Sequence, residues 1–271
     1  MTFSTLGTDL QTGEVVQIAR SSRLQGVYII GSPHTGKSGL LENLIMQDIE
    51  QGIGLCLLDP HGTITKHILA SLPLNRKTDV ILREARTAVN IRQVMDEGKI
   101  LLVKADSQVE VGSPIIAEIL NAAYSRAHTP SNKRMQFHLY ADEFQRFSTE
   151  DFAILLTEAR KFGIGITIAH QYRRQLDSKN RDASLTAANL IVFRVSGEDG
   201  QEMARQFDTT PTPEYKAQSK QQLTHADMAS KIANELTSLP NFVARVRIAE
   251  GETPVECTIH TLKPAGKHGR D

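Results

Sequence analysis

The sequence has few of the features that mark a secreted or membrane protein. It contains two cysteines, Cys56 and Cys257, in a chain of 271 residues. Each lies in an apolar or alternating run, so we expect buried thiols in a reducing compartment rather than a disulfide framework. No apolar run approaches the roughly 20 residues that a membrane-spanning helix needs. The first residues lack the basic-then-apolar order of a signal peptide, and we therefore expect a cytoplasmic protein.

Net charge is absent as well. The chain has 31 basic and 31 acidic residues, and its isoelectric point is near 7.1. Bulk charge therefore gives no sign of nucleic-acid binding, and such binding would need local positive charge or charge concentrated in a ring. The 40% hydrophobic and 23% charged residues are ordinary for a globular protein that buries a sizeable core.

The most informative stretch is Gly31–Ser38, which has the P-loop form G-x-x-x-x-G-K-S. The two glycines allow backbone N–H groups to approach phosphate oxygens, Lys37 supplies a positive charge, and the Ser38 hydroxyl can ligate Mg²⁺. The preceding Val27–Ile30 has the pattern of a strand, and the following Leu40–Ile45 has helical spacing. This context favours a phosphate site over an ordinary glycine-rich turn. The predicted binding residues are Gly31, Pro33, His34, Thr35, Gly36, Lys37, Ser38 and Gly39.

Two adjacent carboxylates, Asp142 and Glu143, follow an apolar run that begins at Phe137. This is the Walker B arrangement, in which Asp142 would hold Mg²⁺ and Glu143 would orient and deprotonate the attacking water. A strand that ends in solvated acids is the alternative, and the P-loop upstream disfavours it.

Two further polar residues are candidates for catalysis. Gln171 follows the next strand-like run, where its amide can hydrogen-bond both the γ-phosphate and the water. Arg160 lies at the end of an amphipathic helix predicted over 151–162. It is either a solvated cation that complements the helix dipole or an arginine finger for a neighbouring subunit. The basic loop that follows Gln171 either touches nucleic-acid phosphates or is solvated, and its cations are Arg173, Arg174, Lys179 and Arg181.

Buried apolar strands alternate with helices along the chain, which predicts an α/β fold with a mainly parallel central sheet flanked by helices. An alternating run at 242–248 and a second at 255–259 predict a C-terminal β-hairpin. We expect an N-terminal lead-in with an edge strand (1–26), a P-loop core (27–210), a C-terminal extension with the hairpin (211–262) and a disordered tail (263–271).

Together these motifs resemble the HerA–FtsK superfamily of ring-forming DNA-pumping ATPases. The nearest likeness is to the conjugative coupling proteins of type IV secretion and to HerA-like translocases. The resemblance covers about residues 5–210. It is carried by Gly31–Ser38, Leu58–Gly62, Leu139–Gln145, Glu158–Gly163, Ala169–Tyr172 and Ile191–Val195.

The resemblance implies a RecA-like core that uses ATP and Mg²⁺. It implies a Walker A pair (Lys37 and Ser38), a Walker B pair (Asp142 and Glu143), a sensor glutamine (Gln171) and an arginine finger (Arg160). It also implies a homo-hexamer with DNA in a central pore and a DNA-processing or secretion partner. Conjugative coupling proteins commonly have N-terminal membrane helices as well, but this sequence predicts no membrane span. Coupling proteins usually carry a long helical insert after the turn at Asp59. The connection to the strand at Ile100 is short here, which favours an isolated motor core.

Two other classes of function remain open. The neutral charge permits a nucleotide-dependent scaffold or recruitment ATPase that moves little DNA. A small-molecule kinase is the third class, but Glu143 together with a sensor glutamine favours hydrolysis over phosphoryl transfer to a hydroxyl substrate.

Overall fold

A computed structural model describes residues 2–83, 88–104, 112–211 and 224–262. The predicted tail at 263–271 and part of the predicted C-terminal extension lie outside the described residues. The strands are β1 (Phe3–Asp9), β2 (Val15–Ala19), β3 (Val27–Ile30), β4 (Gly54–Leu58), β5 (Val80–Arg83), β6 (Ile100–Val103), β7 (Phe137–Ala141), β8 (Ile164–His170), β9 (Asn189–Val192), β10 (Val243–Ile248) and β11 (Val255–Thr261). They form a single sheet in the order β2-β1-β11-β10-β9-β3-β8-β7-β4-β6-β5.

Nine α-helices occur within the described ranges. They are α1 (Arg20–Arg23), α2 (Lys37–Glu50), α3 (Thr63–Ser71), α4 (Ile91–Asp96), α5 (Gly112–Ser125), α6 (Glu150–Glu158), α7 (Ser178–Ser184), α8 (Gly197–Ala204) and α9 (His225–Ser238). None of them is long and apolar enough to cross a bilayer.

The half of the sheet from β9 to β5 is parallel. Every residue of its central strands β3, β8, β7 and β4 is buried. Strands buried on both faces need helices on both sides, which is why they are continuous apolar runs in the sequence. The predicted fold class, a mainly parallel α/β sheet flanked by helices, is confirmed.

The other half of the sheet is antiparallel and joins the two ends of the chain. The predicted hairpin forms, since β10 pairs with β11 from Val243↔His260 to Ile248↔Val255. On one side β10 pairs with β9, and on the other β11 pairs with β1. The hairpin therefore extends the same sheet that carries the phosphate loop.

Some elements were not predicted from the sequence. Strand β1 (FSTLGTD) is rich in small and polar residues, so its pattern is weak. Helix α9 could have been predicted from the sequence, because its buried residues Met228, Ile232 and Leu236 have helical spacing. Thr224 also caps it by accepting a hydrogen bond from the backbone N–H of Asp227 at 3.2 Å. The helix predicted over 151–162 is shorter than expected, because α6 ends at Glu158 and a 3₁₀ turn covers Ala159–Phe162.

A buried charged cluster ties the helix after the phosphate loop to the strand before the carboxylates. Asp48 of α2 is fully buried and accepts hydrogen bonds from both terminal nitrogens of Arg23, at 2.6 and 2.9 Å. The same carboxylate accepts the Tyr140 hydroxyl of β7 at 2.5 Å and lies 2.8 Å from His138 Nδ1. Burial by itself raises the pKa of Asp48, but Arg23 and then His138 outweigh it and hold the pKa well below its usual range.

We expect Asp48→Asn to lower the free energy of unfolding at pH 7 by about 3–5 kcal/mol, because the buried Arg23 would lose its counter-charge. Because the pKa of Asp48 is depressed in the folded chain, its ionised carboxylate contributes its full stabilisation above the ordinary carboxyl value of 3.8. This stabilisation is lost progressively as the pH falls from 3.8 through the lower pKa of the folded state. Urea unfolding at pH 7 and at pH 3 checks both points. Glu150→Gln is the control, since that carboxylate is 71% exposed in its pair with Lys179 and should matter little. A wild-type stability for Asp48→Asn at pH 7 would contradict the prediction.

Candidate active site

The phosphate loop connects β3 to α2 as predicted, and its shape depends on its glycines. Gly36 caps α2 with a φ of 119° in the left-handed region. A Cβ at Gly31 would lie 2.6 Å from Phe193 Cβ, so no larger residue fits there. Inside the loop, Thr35 Oγ1 and Lys37 Nζ donate hydrogen bonds to the Ser32 carbonyl at 2.8 and 3.0 Å.

The predicted binding residues are placed unevenly around this loop. Pro33, His34 and Ser38 are exposed on its rim, whereas Lys37 is only 6% exposed. Burial lowers the pKa of Lys37, and the carboxylates of Glu143 and Asp142 act in the opposite direction. The Lys37 ammonium therefore lies within electrostatic reach of the Walker B pair, at the edge where the parallel strands end.

Asp142 occupies a crowded acidic position beside this lysine. Its pKa is raised to about 7, first by burial and then by the charges of Glu143 and Asp59. Asp59 directly follows β4 and is fully buried, and its carboxylate accepts hydrogen bonds from the backbone N–H groups of Gly62 and Thr65 at 2.9 and 2.8 Å. A divalent cation would relieve this repulsion, and the carboxylate of Asp142 with the hydroxyl of Ser38 is a donor set that suits Mg²⁺.

Glu143 lies at the end of β7 in a strained conformation, with a φ of 48°. Two amides restrain its carboxylate. Gln171 Nε2 donates to one oxygen at 2.9 Å, and Gln145 Nε2 donates to the other at 2.5 Å. The structure thus brings Glu143 and Gln171 together, and Gln145 is a second contact that the sequence analysis did not single out.

Arg160 is not part of this constellation within one chain. It lies in the exposed 3₁₀ turn before the start of β8, whereas Gln171 follows the end of β8. A strand of seven residues spans on the order of 20 Å, so Arg160 lies at the opposite edge of the sheet. There it lines an open cavity of about 320 Å³ with Gln25, Leu156 and Ala188 among its neighbours.

A buried polar cluster supports the segment that carries Gln171. His170 stacks on Tyr28 with ring centroids 5.4 Å apart, and its Nε2 lies 2.7 Å from the Tyr28 hydroxyl. Burial, and then the charge of Arg173, lowers the pKa of His170 to about 3, so this imidazole is neutral at physiological pH. Arg173 also donates to Tyr28 and Ser184, at 3.1 and 2.9 Å.

The charge of the basic loop is more nearly balanced than its sequence indicated. Arg173 is 1% exposed and pairs with Glu202 at 2.9 Å, and Arg174 pairs with Glu198 at 2.5 Å. Lys179 pairs with Glu150 at 2.6 Å. Three of the four cations thus have carboxylate partners within the chain.

Some residues around the phosphate loop were not among the predicted site residues. Asp59 carried a signal, because it follows a buried strand at the edge where ligands bind in parallel sheets. Phe193 and Phe242, which pack against Gly36, carried none, since they are far from the loop in the chain.

Comparisons with known proteins agree with this architecture. No protein-family model matches the sequence, and no curated protein matches it either. An unbound form of the bacterial conjugative coupling protein TrwB superposes with a TM-score of 0.65 at 12% identity, over 94% of this chain and 89% of the other. The genome packaging NTPase B204 of Sulfolobus turreted icosahedral virus 2, bound to ATP-gammaS, superposes with a TM-score of 0.55 at 13% identity, over 90% and 98%.

A third similar structure contains ATPases 2 and 3 of Thermomonospora curvata EccC in complex with a signal sequence peptide. It superposes with a TM-score of 0.61 at 15% identity, over 98% of this chain and 41% of the EccC chain. This chain therefore spans less than half of that one. These likenesses show a shared fold: the chain has the RecA-like P-loop architecture with a mainly parallel sheet, as the sequence predicted.

Proposed function

We propose that the chain is a Mg²⁺-dependent ATPase that works as one subunit of a homo-hexameric ring and moves DNA. The observation that carries the hydrolytic part is the contact between Gln171 and Glu143 at the edge that bears the phosphate loop. A carboxylate held there by a strand-end amide can act on water and respond to the γ-phosphate. TrwB structures with ADP and Mg²⁺ and with a non-hydrolysable ATP analogue support the choice of ligands.

In this mechanism the N–H groups of the phosphate loop and the Lys37 ammonium bind the β- and γ-phosphates. Ser38 and Asp142 would hold Mg²⁺, which neutralises developing phosphate charge when bound. Glu143 accepts a proton from the attacking water as the oxygen–phosphorus bond forms and the bond to the β-phosphate oxygen breaks. Gln171 orients that water. Its hydrogen bond to Glu143 breaks or re-forms as the γ-phosphate binds and leaves.

The ring is proposed because the site is incomplete within one chain. Arg160 is exposed and lies across the sheet from Lys37, so it can reach a nucleotide only in a neighbouring subunit. A head-to-tail arrangement would place the Arg160 edge of one subunit against the phosphate-loop edge of the next, and repetition of that contact closes a ring. A DNA-processing or secretion partner that loads this ring is part of the proposal.

A nucleotide-dependent scaffold is the second candidate, and the paired basic loop favours it. With Arg173 buried and with Arg174 and Lys179 in ion pairs, this loop offers little free positive charge to DNA phosphates. The charge of the whole chain, +0, does not compensate.

DNA stimulation of ATP hydrolysis, measured against salt, tests the proposed function. We expect hydrolysis that requires Mg²⁺, is abolished in Lys37→Ala and increases with DNA at low salt. The increase should fade as salt rises, because phosphate contacts release counterions. Lys179→Ala is a control for a loop cation whose charge is already paired. ATP hydrolysis without DNA stimulation at low salt would favour the scaffold, and no hydrolysis would overturn the ATPase.

A further inference from the structure

The aromatic ring of Phe242 is exposed and lies against the phosphate loop, and it has no role in the proposed hydrolysis. Phe242 immediately precedes β10, and a Cβ built on Gly36 would lie 3.1 Å from its Cδ1 atom. Although it lies against the loop, Phe242 remains 43% exposed. Single exposed apolar side chains are common on protein surfaces, so the significance of this ring rests on its position against the phosphate loop.

The backbone of Phe242 is held in this place against a conformational cost. Its φ is 63°, in the left-handed region that a phenylalanine seldom adopts. Its N–H donates to the Thr35 carbonyl of the phosphate loop at 2.7 Å, and its carbonyl accepts the backbone N–H and the hydroxyl of Thr261 at 2.8 and 3.1 Å. These contacts fix the ring relative to the loop.

Backbone strain of this kind is concentrated at the nucleotide edge. Within the described ranges, three residues other than glycine have a positive φ: His34, Glu143 and Phe242. The first lies in the phosphate loop, and the second is the proposed catalytic base. Residues held in rare backbone conformations cluster at functional sites, so Phe242 belongs with the other two.

The order of the strands indicates which part of a nucleotide would reach Phe242. Asp142 and Glu143 follow β7, on one side of the loop strand β3, whereas Phe242 precedes β10 on the other side. A triphosphate in the loop turns its γ-phosphate towards the carboxylates, so its nucleoside points towards β9 and β10. Leu262, 39% exposed, adds apolar surface after β11, where its carbonyl accepts Asn43 Nδ2 of α2 at 2.9 Å.

We propose that Phe242 stacks on the base of a bound nucleoside triphosphate, with Leu262 beside it. This assignment rests on the proposed nucleotide function and adds the part of the ligand that the phosphate loop does not bind. Stacking on an aromatic ring uses the flat face of the base, and its loss weakens binding by about ten-fold or more.

Phe242→Asn separates stacking from support of the loop, because asparagine tolerates the left-handed conformation while it removes the ring. Calorimetric titration should give about ten-fold weaker binding of ATP and unchanged binding of inorganic tripolyphosphate. Equal weakening of both ligands would overturn the assignment, since the residue would then only brace the loop. Unchanged ATP binding would overturn it as well. If the wild-type chain binds neither ligand, the proposed nucleotide function fails too, so the two failures are distinguishable.

The chain contains no tryptophan, which makes a second test possible. Phe242→Trp would place a single indole at the proposed stacking position, and ATP should quench its fluorescence while tripolyphosphate should not. Phe3→Trp is the matched control, because Phe3 is similarly exposed at 39% and lies on β1. An equal response of the residue-242 indole to both ligands, or no response to ATP at saturation, would overturn the assignment.

Discussion

Glu143→Gln should reduce ATP turnover by about 10²–10⁴-fold while ATP still binds, because an amide of the same shape cannot accept the proton of the attacking water. The phosphate loop and Lys37 are untouched by the change. One of the Gln171 and Gln145 amides can still donate to the remaining carbonyl oxygen, and the other can flip so that its oxygen accepts from the new NH2 group. The local structure should therefore persist. Steady-state kinetics and nucleotide titration check the two halves of the prediction.

Two comparisons make this result specific. Glu198→Gln removes a carboxylate that is 63% exposed in its pair with Arg174, and turnover should stay at the wild-type level. Lys37→Ala should lose activity and weaken ATP binding as well, because in the proposed mechanism that side chain binds the phosphates. A fully active Glu143→Gln variant would exclude Glu143 as the base.

Arg160→Ala should lower turnover by about 10³–10⁵-fold if its guanidinium stabilises the transferred phosphoryl of a neighbour. The variant should remain folded, because Arg160 is exposed and is not part of the buried core. Lys161→Ala is the matched control from the same 3₁₀ turn, since its side chain is 68% exposed and pairs loosely with Glu158 at 3.6 Å.

Mixing Arg160→Ala subunits with Lys37→Ala subunits tests whether the arginine acts across an interface. The first variant has an intact phosphate loop, and the second has an intact arginine. In an equal mixture about one head-to-tail interface in four would combine both, so activity should reappear although each variant alone is inactive. Absence of any rescue at concentrations where the subunits assemble would contradict the arrangement.

Much of the site could be predicted from the sequence because its signals are local. A strand, the glycine-rich turn and a helix start follow one another between Val27 and Ser38, and the structure places all three there. Asp142, Glu143 and Gln171 each follow a buried apolar strand. Since the carboxyl ends of parallel strands share one edge of a sheet, such residues converge whatever the order of the strands.

The buried and long-range features could not be predicted in the same way. Arg173 and Arg174 are indistinguishable in the sequence from solvated loop cations, and only the fold decides that the first is enclosed and that both have carboxylate partners. The raised pKa of Asp142 results first from burial and then from the charges of Glu143 and of Asp59, which follows the neighbouring strand β4.

The phosphate loop, the paired carboxylates and the parallel sheet can be predicted from the sequence alone, because they follow from periodicity and from short-range turn chemistry. The positions of Arg160, across the sheet from the loop, and of Phe242, against the loop, depend on the tertiary structure. Those positions result from strand order and from contacts between segments far apart in the chain. Such contacts form because the whole sheet must bury its apolar faces, and no single stretch of the sequence is enough to predict how it does so.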